Sequence, residues 1–185
     1  MKNVISIKCK AGFLRFRSFA AAAIAAFFII FLLSLYISLQ CLAAPPSLKD
    51  YDGSRLAAAA LSQIGSDSGE KYWRWCGFDQ RVDWCACFVS WCAGQCYDNA
   101  PVSASCAEFK QWFRERGRLY DRDITPAAGM VVFFDNDGNS HPDHMGILSS
   151  CRDGVISVVE GNSSDMCVEN FYELTESAIM AYGAF

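Results

Sequence analysis

Eleven consecutive residues, Asp83-Trp84-Cys85-Ala86-Cys87-Phe88-Val89-Ser90-Trp91-Cys92-Ala93, do most to limit what this chain can become. After Asp83 the run is uncharged, and it reads as a helix from about Trp84 to Cys96. Helical spacing puts Cys85, Phe88 or Val89, Cys92 and Cys96 on one face, with Cys87 pointing elsewhere. Such a face has to bury against an apolar surface, and the second half of the chain supplies one. From Gly129 the pattern changes to strands. Met130-Val131-Val132-Phe133-Phe134 is apolar throughout and reads as a central strand. His144 to Ser149, Gly154 to Val159, Cys167 to Leu174 and Ile179 to Phe185 read as further strands. Upstream, Ser54 to Ile64 is rich in Ala and Leu and closes on Gly65, a helix with a glycine stop. Cys106 to Arg116 spaces Phe109, Trp112 and Phe113 between charges, as an amphipathic helix does. Helices first and strands second predict an α+β domain. Its N-terminal helices, one bearing Cys85, pack on an antiparallel sheet of about five strands.

The first 44 residues stand apart from that domain. Lys2, Lys8, Lys10, Arg15 and Arg17 precede a charge-free stretch from Phe19 to Leu39. That stretch is long enough to cross a bilayer, for which ~20 apolar residues suffice. A cleavable signal has a shorter apolar region, ~7–15 residues. Length therefore favours an uncleaved single-pass anchor with its N-terminus inside. The small residues at Cys41, Ala43 and Ala44 leave cleavage and secretion open. Either way residues 45–185 are expected outside the cytoplasm, 45–55 as a tether and 56–185 as the domain.

All 20 acidic residues lie beyond Ala44 against eleven of the 16 basic ones, so the exported part carries a formal charge of −9. Nucleic acid is excluded as a partner, because phosphate binding needs clustered Lys and Arg. Ten cysteines suit an exported chain better than a cytosolic one. Eight of them, Cys76, Cys85, Cys87, Cys92, Cys96, Cys106, Cys151 and Cys167, fall in the domain. Their pairing is not fixed by sequence. Zinc is disfavoured, since no CxxC pair occurs and both histidines fall in one loop. Asp135-Asn136-Asp137-Gly138-Asn139 offers oxygen ligands but lacks the distal Glu of an EF-hand loop, so it reads as a plain turn. No cofactor or metal is expected.

A thiol has to ionise before it attacks a carbonyl, and a helix N-terminus favours the thiolate. Cys85 holds that position. Asp83 reads as a cap that accepts backbone N–H bonds, because a carboxylate turned toward Cys85 would oppose its ionisation. His144 opens a strand on which it shares a face with Gly146 and Leu148, and the missing side chain at Gly146 lets the nucleophile helix approach. His141, in a Ser-His-Pro turn, is the weaker base. A third group must hold the imidazole. Glu160, at the end of an apolar strand, is the first choice, with Asn162 as assistant or alternative. Trp75, Phe78 and Trp84 are candidates for lining a substrate cleft, although aromatics of this kind serve equally as core.

Trp84-Cys85-Ala86-Cys87-Phe88-Val89-Ser90-Trp91-Cys92-Ala93, Asp143-His144-Met145-Gly146-Ile147-Leu148 and Glu160-Gly161-Asn162-Ser163 together resemble the CHAP family, the cysteine, histidine-dependent amidohydrolases/peptidases. The resemblance runs from about Leu56 to Phe185. It implies a papain-like fold and cleavage of peptidoglycan, as an N-acetylmuramoyl-L-alanine amidase or an endopeptidase. It also implies Cys85 as nucleophile, His144 as base, and Glu160 with Asn162 as polar partners. One departure is Ala128-Gly129-Met130, where the family often has Pro-Gly-Asp. Two other functions fit the same residues: a cysteine peptidase or amidase acting on a protein or small peptide, and a non-catalytic, disulfide-stapled binding module.

Overall fold

The computed structural model describes residues 25–35 and 47–185. The chain divides into two units, Met1–Ala43 and Ala44–Phe185. In the first, residues 25–35 are helical. The remainder of the expected 19–39 span, and the expected cleavage site, lie outside the described residues. Among the described residues no helix is long and apolar enough to cross a membrane.

The second unit begins with a 3-10 turn, Leu48–Asp50, and four helices: α1 (Ser54–Leu61), α2 (Glu70–Trp75), α3 (Cys85–Gly94) and α4 (Cys106–Glu115). Six strands follow: β1 (Leu119–Asp121), β2 (Val131–Phe134), β3 (His144–Arg152), β4 (Val155–Ser163), β5 (Met166–Glu173) and β6 (Ile179–Gly183). They form one antiparallel sheet in the order β1-β6-β2-β3-β4-β5. The fold is α+β and papain-like, with two elements beyond those expected. Helix α2 is short and hidden inside the aromatic run after Gly69. Strand β1 has three residues and exists through its pairing with β6, which no local pattern announces.

Strand β2 explains its own sequence. Val131 and Phe133 join the cluster packed against the helices, whereas Val132 and Phe134 join a second cluster on the other face. A strand covered on both faces has no polar side, hence the unbroken apolar run. Helix α3 likewise differs from the one-faced helix expected. Cys87 and Phe88 are as buried as Cys85, and so are Ala86, Val89, Ser90, Cys92 and Ala93. The helix runs between α1, α2 and the β3–β4 pair, and a helix apolar on all sides belongs in such a place.

The N-terminus of α3 is fixed by the β4–β5 hairpin. Ser164 and Asp165 both have positive φ, 51° and 63°, the conformation of a two-residue type I′ turn. The Asp165 carboxylate accepts from Arg81 Nη2 at 2.9 Å and from Trp84 Nε1 at 3.1 Å. The loop before α2 joins the same edge, where Gly65 N–H donates to the Cys167 carbonyl at 2.9 Å and Cys167 N–H to that of Ser66 at 2.8 Å.

Helix α3 meets β4 at Gly161. A Cβ built there falls 2.5 Å from Phe88 Cβ and 2.6 Å from Trp84 Cζ3. Gly161→Ala is therefore expected to push α3 off the sheet and lower the unfolding free energy by about 1–3 kcal/mol, the usual range for overpacking. Urea denaturation measures this, and an unchanged midpoint would contradict the close approach.

Candidate active site

Cys85 is the first residue of α3. Trp84 is its N-cap and makes no side-chain cap. The first α-helical bond is Phe88 N–H to the Trp84 carbonyl, 2.8 Å, so the N–H groups of Cys85, Ala86 and Cys87 lie ahead of the ladder. Asp83 is not the expected cap. Its Oδ1 accepts from Asn162 Nδ2 at 3.2 Å, which turns the carboxylate to the hairpin.

His144 is the first residue of β3 and lies beside Cys85, close enough to lower the pKa of its thiol. Its Nε2 lies 3.0 Å from Glu160 Oε2. Gly146 has a different use from the one expected. A Cβ there would meet Val158 Cγ1 at 2.5 Å and Glu160 Cγ at 2.9 Å. The glycine thus leaves room for the carboxylate, and the close approach of the helix belongs to Gly161.

Glu160 is 2 % exposed, and a buried carboxylate needs partners for its lone pairs. Besides His144 it accepts from Tyr172 Oη at 2.6 Å and from Asn170 Nδ2 at 3.1 Å. Sequence reasoning missed both donors. Their signal was the alternation of β5, which puts Val168, Asn170 and Tyr172 opposite Glu160, Val158 and Ile156. Burial, followed by the bond to Glu160, raises the Tyr172 pKa and keeps the hydroxyl a donor.

A third missed residue is Cys106, at the start of α4. Its Sγ lies 3.6 Å from Cys85 Sγ. No local pattern pointed to it, because the contact depends on the path of the intervening loop. Ser90 anchors that loop: its Oγ accepts from Ser103 N–H and donates to the Ser103 carbonyl, both at 3.0 Å.

These contacts set the charge state. The Cys106 hydrogen bond lowers the Cys85 pKa most; burial opposes it, and His144 and the Ala86 N–H add to the lowering, to about 5. Burial pushes the His144 imidazole down, but the bonds to Cys85 and Glu160 and their charges outweigh it and lift the pKa to about 10. Both shifts favour a resting thiolate–imidazolium pair. Cys106 keeps its proton, its pKa raised by the hydrogen bond to Cys85 and by burial.

Asn162 is not at the imidazole. It sits in a register shift of β4 with φ 61°, and its amide serves Asp83. Two of the three cleft candidates are misplaced as well. Trp84 is fully buried, stacked on Tyr72 with ring centroids 5.3 Å apart, and is a core residue. Trp75 is partly exposed but rests against Gly94, where a Cβ would fall 2.7 Å from its ring. Gly94 ends α3, about 13 Å from Cys85 at the usual helical rise. Phe78 is half-buried against the helix-side cluster. His141 lies in the turn before β3, its N–H donating to Asn139 Oδ1 at 2.8 Å. Asp135, Asp137 and Asp143 bring carboxylate oxygens within 4.8 Å of one another. Those oxygens cap the turn's own N–H groups, as in Asn136 N–H to Asp143 Oδ2 at 2.8 Å and Ser140 N–H to Asp135 Oδ2 at 2.9 Å. None of the eight described cysteines is in a disulfide.

A buried helix presenting a thiol to an imidazole at the head of an antiparallel strand, with a carboxylate behind the ring, defines the papain-like class of fold. Residues 77–162 match the model of the CHAP domain family. Among solved structures it is similar to the crystal structure of Ly7917, with a TM-score of 0.51 and 14% identity over 71% of this chain and 61% of that one. It is equally similar to the crystal structure of Ly7917 with the hydrolyzing product of MDP, with a TM-score of 0.51 and 14% identity over 72% of this chain and 62% of that one. The chain thus spans about three fifths of the length of those proteins. No match was found among curated proteins.

The pair predicts a pH profile. Alkylation of Cys85 by a neutral haloacetamide should hold steady down the pH scale and fall as pH drops through about 5, where the thiolate takes up a proton. In His144→Ala the inflection should move up but stay below the ordinary thiol value near ~8.5, because the Cys106 hydrogen bond remains. A wild-type inflection already at that value would contradict the ion pair.

Proposed function

We propose that this protein is a cell-wall hydrolase that cleaves an amide bond of peptidoglycan, as an N-acetylmuramoyl-L-alanine amidase or an endopeptidase. The observation that carries the proposal is the His144 imidazole, held 3.0 Å from the Glu160 carboxylate and close enough to Cys85 to lower the pKa of its thiol. The CHAP match supports it, as does similarity to a protein crystallised with the hydrolyzing product of MDP.

In this reading Cys85 is the nucleophile. Its thiolate adds to the amide carbonyl carbon, and the oxyanion forms at the N-terminus of α3, where the Cys85 N–H stands ahead of the helical ladder. The His144 imidazolium gives its proton to the leaving amine, and the amine departs from a thioester. His144, now neutral, takes a proton from water as that water attacks the thioester carbon. The acid leaves, and the thiolate and imidazolium are restored. Glu160 holds the Nε2 side of the ring throughout, so that Nδ1 faces the sulfur. Tyr172 and Asn170 hold Glu160.

Cys85→Ala and His144→Ala should each abolish the release of new amines from purified sacculi while the circular dichroism spectrum stays native. Full activity in either variant would overturn the mechanism. The masses of products from a defined peptidoglycan distinguish the sugar–peptide amide from bonds within the peptide.

We further propose that the uncharged stretch 19–39 delivers the domain across the cytoplasmic membrane and tethers it there, on the evidence of its length and the five basic residues before it. Protease added to spheroplasts should then degrade residues 47–185, and a chain lacking residues 1–44 should escape that degradation. Protection of the full-length chain would sink this assignment.

A further inference from the structure

We propose that Cys106 is a resolving thiol: hydroperoxides switch the site off by joining Cys85 to Cys106, and a dithiol reductant switches it on again. The proposal rests on the reading of Cys85 as the reactive thiolate and adds a means of regulating it.

Geometry singles out this pair. The two sulfurs are 3.6 Å apart and unbonded, against ~2.05 Å in a disulfide. Each cysteine is the first residue of a ten-residue helix, so both helix N-termini converge on the same point. The Ser90–Ser103 bonds pin the loop between them, and Ser105 Oγ caps α4 by accepting the Glu108 N–H at 3.2 Å. The other thiols face elsewhere. The Cys76 thiol donates to the Cys87 carbonyl at 3.9 Å, Cys92 and Cys167 lie in the helix-side cluster, and Cys151 belongs to the cluster on the far face of the sheet. Cys106 is therefore the thiol within reach of an oxidised Cys85.

The chemistry balances. The Cys85 thiolate attacks a hydroperoxide; an S–O bond forms, the O–O bond breaks, and an alcohol leaves with the proton of the His144 imidazolium. Cys85 is now a sulfenic acid. The charge that kept Cys106 protonated is gone, and the N-terminus of α4 favours its thiolate. Cys106 passes its proton to His144 and attacks the sulfenic sulfur. An S–S bond forms, and hydroxide leaves as water with that proton. The two thiols give up two electrons and two protons, and the hydroperoxide is reduced to alcohol and water. A dithiol such as dithiothreitol returns both by exchange.

The test is a chymotryptic map of the full chain, alkylated after hydrogen peroxide. Chymotrypsin cuts after Phe88, Trp91 and Tyr97 and so separates the two cysteines. The expected result is a linked pair of peptides holding Cys85 and Cys106, with alkylation of both restored by dithiothreitol. In Cys106→Ser, which keeps a donor at the position, Cys85 should go on to the sulfinic acid, and reductant should restore less than about a tenth of its alkylation. Two outcomes would overturn the proposal alone: Cys85 alkylated when reduced but never linked to Cys106, or linked to another cysteine. A Cys85 inert to both alkylator and peroxide would overturn the reading of the thiolate as well. Linkage in a protein that leaves sacculi intact would keep the pair and refute the wall hydrolase.

Discussion

The contacts that favour a proton on His144 over one on Cys85 are what the site depends on. Burial alone drives a thiol toward its neutral form and an imidazole toward its own. Both groups here are largely buried, yet the thiol falls to about 5 and the imidazole rises to about 10. Cys106 and the imidazolium together lower the thiol, and the thiolate together with Glu160 raises the imidazole. The domain is therefore built to hold these contacts rigidly, because loosening them shifts each group toward the uncharged state that burial favours. Glu160 lies on the far side of the ring and fixes it. Its remaining oxygen capacity is taken by Tyr172 and Asn170, so the carboxylate has a set orientation.

That rigidity comes from a helix with no wet face. Helix α3 is enclosed by α1, α2 and the sheet, and its approach is set by glycines: Gly161 on β4, and Gly69, where a Cβ would fall 2.3 Å from the Trp84 ring. Trp84 is clamped from a third side by the Asp165 carboxylate. The N-terminus of α3 is thus held through its N-cap side chain and not by a capping hydrogen bond. A capping carboxylate would have brought negative charge to the very N–H groups that stabilise the thiolate. Asp83 is kept from this role by Asn162, whose left-handed backbone aims its amide at the aspartate.

Much of this was legible in the sequence, and what was legible shares a cause. Helix α3, β2, β3 and β4 carry apolar patterns that have one outcome; Cys85 and His144 head their elements, and Glu160 follows the apolar run of β4. The unreadable residues owe their roles to contacts between elements distant in sequence. Trp84 looks like a cleft residue until the Ser164–Asp165 turn covers it. Asn162 keeps the strand alternation on paper, but the register shift after Glu160 rotates it away. Tyr172 is one of several aromatics until β5 is paired with β4. Cys106 depends on a loop whose course is fixed by a buried serine.

The place of Cys106 shows how stabilisation and vulnerability are joined. A thiolate in a buried site gains most from a nearby donor, and the Cys106 thiol is the strongest influence lowering the Cys85 pKa. A serine hydroxyl in its place would donate a hydrogen bond without introducing a second sulfur. With a thiol there, the group that keeps Cys85 ionised is also the one that can bond to it once an oxidant has removed its electrons. The same 3.6 Å contact thus serves two states. Reduced, it lends a proton to the site; oxidised, it covers the nucleophile and spares it from further, irreversible oxidation. Exported as proposed, the domain would meet oxidants without the cytoplasmic thiol pools that repair such damage, so a neighbour able to hold the sulfur in a reducible form has a physical use there.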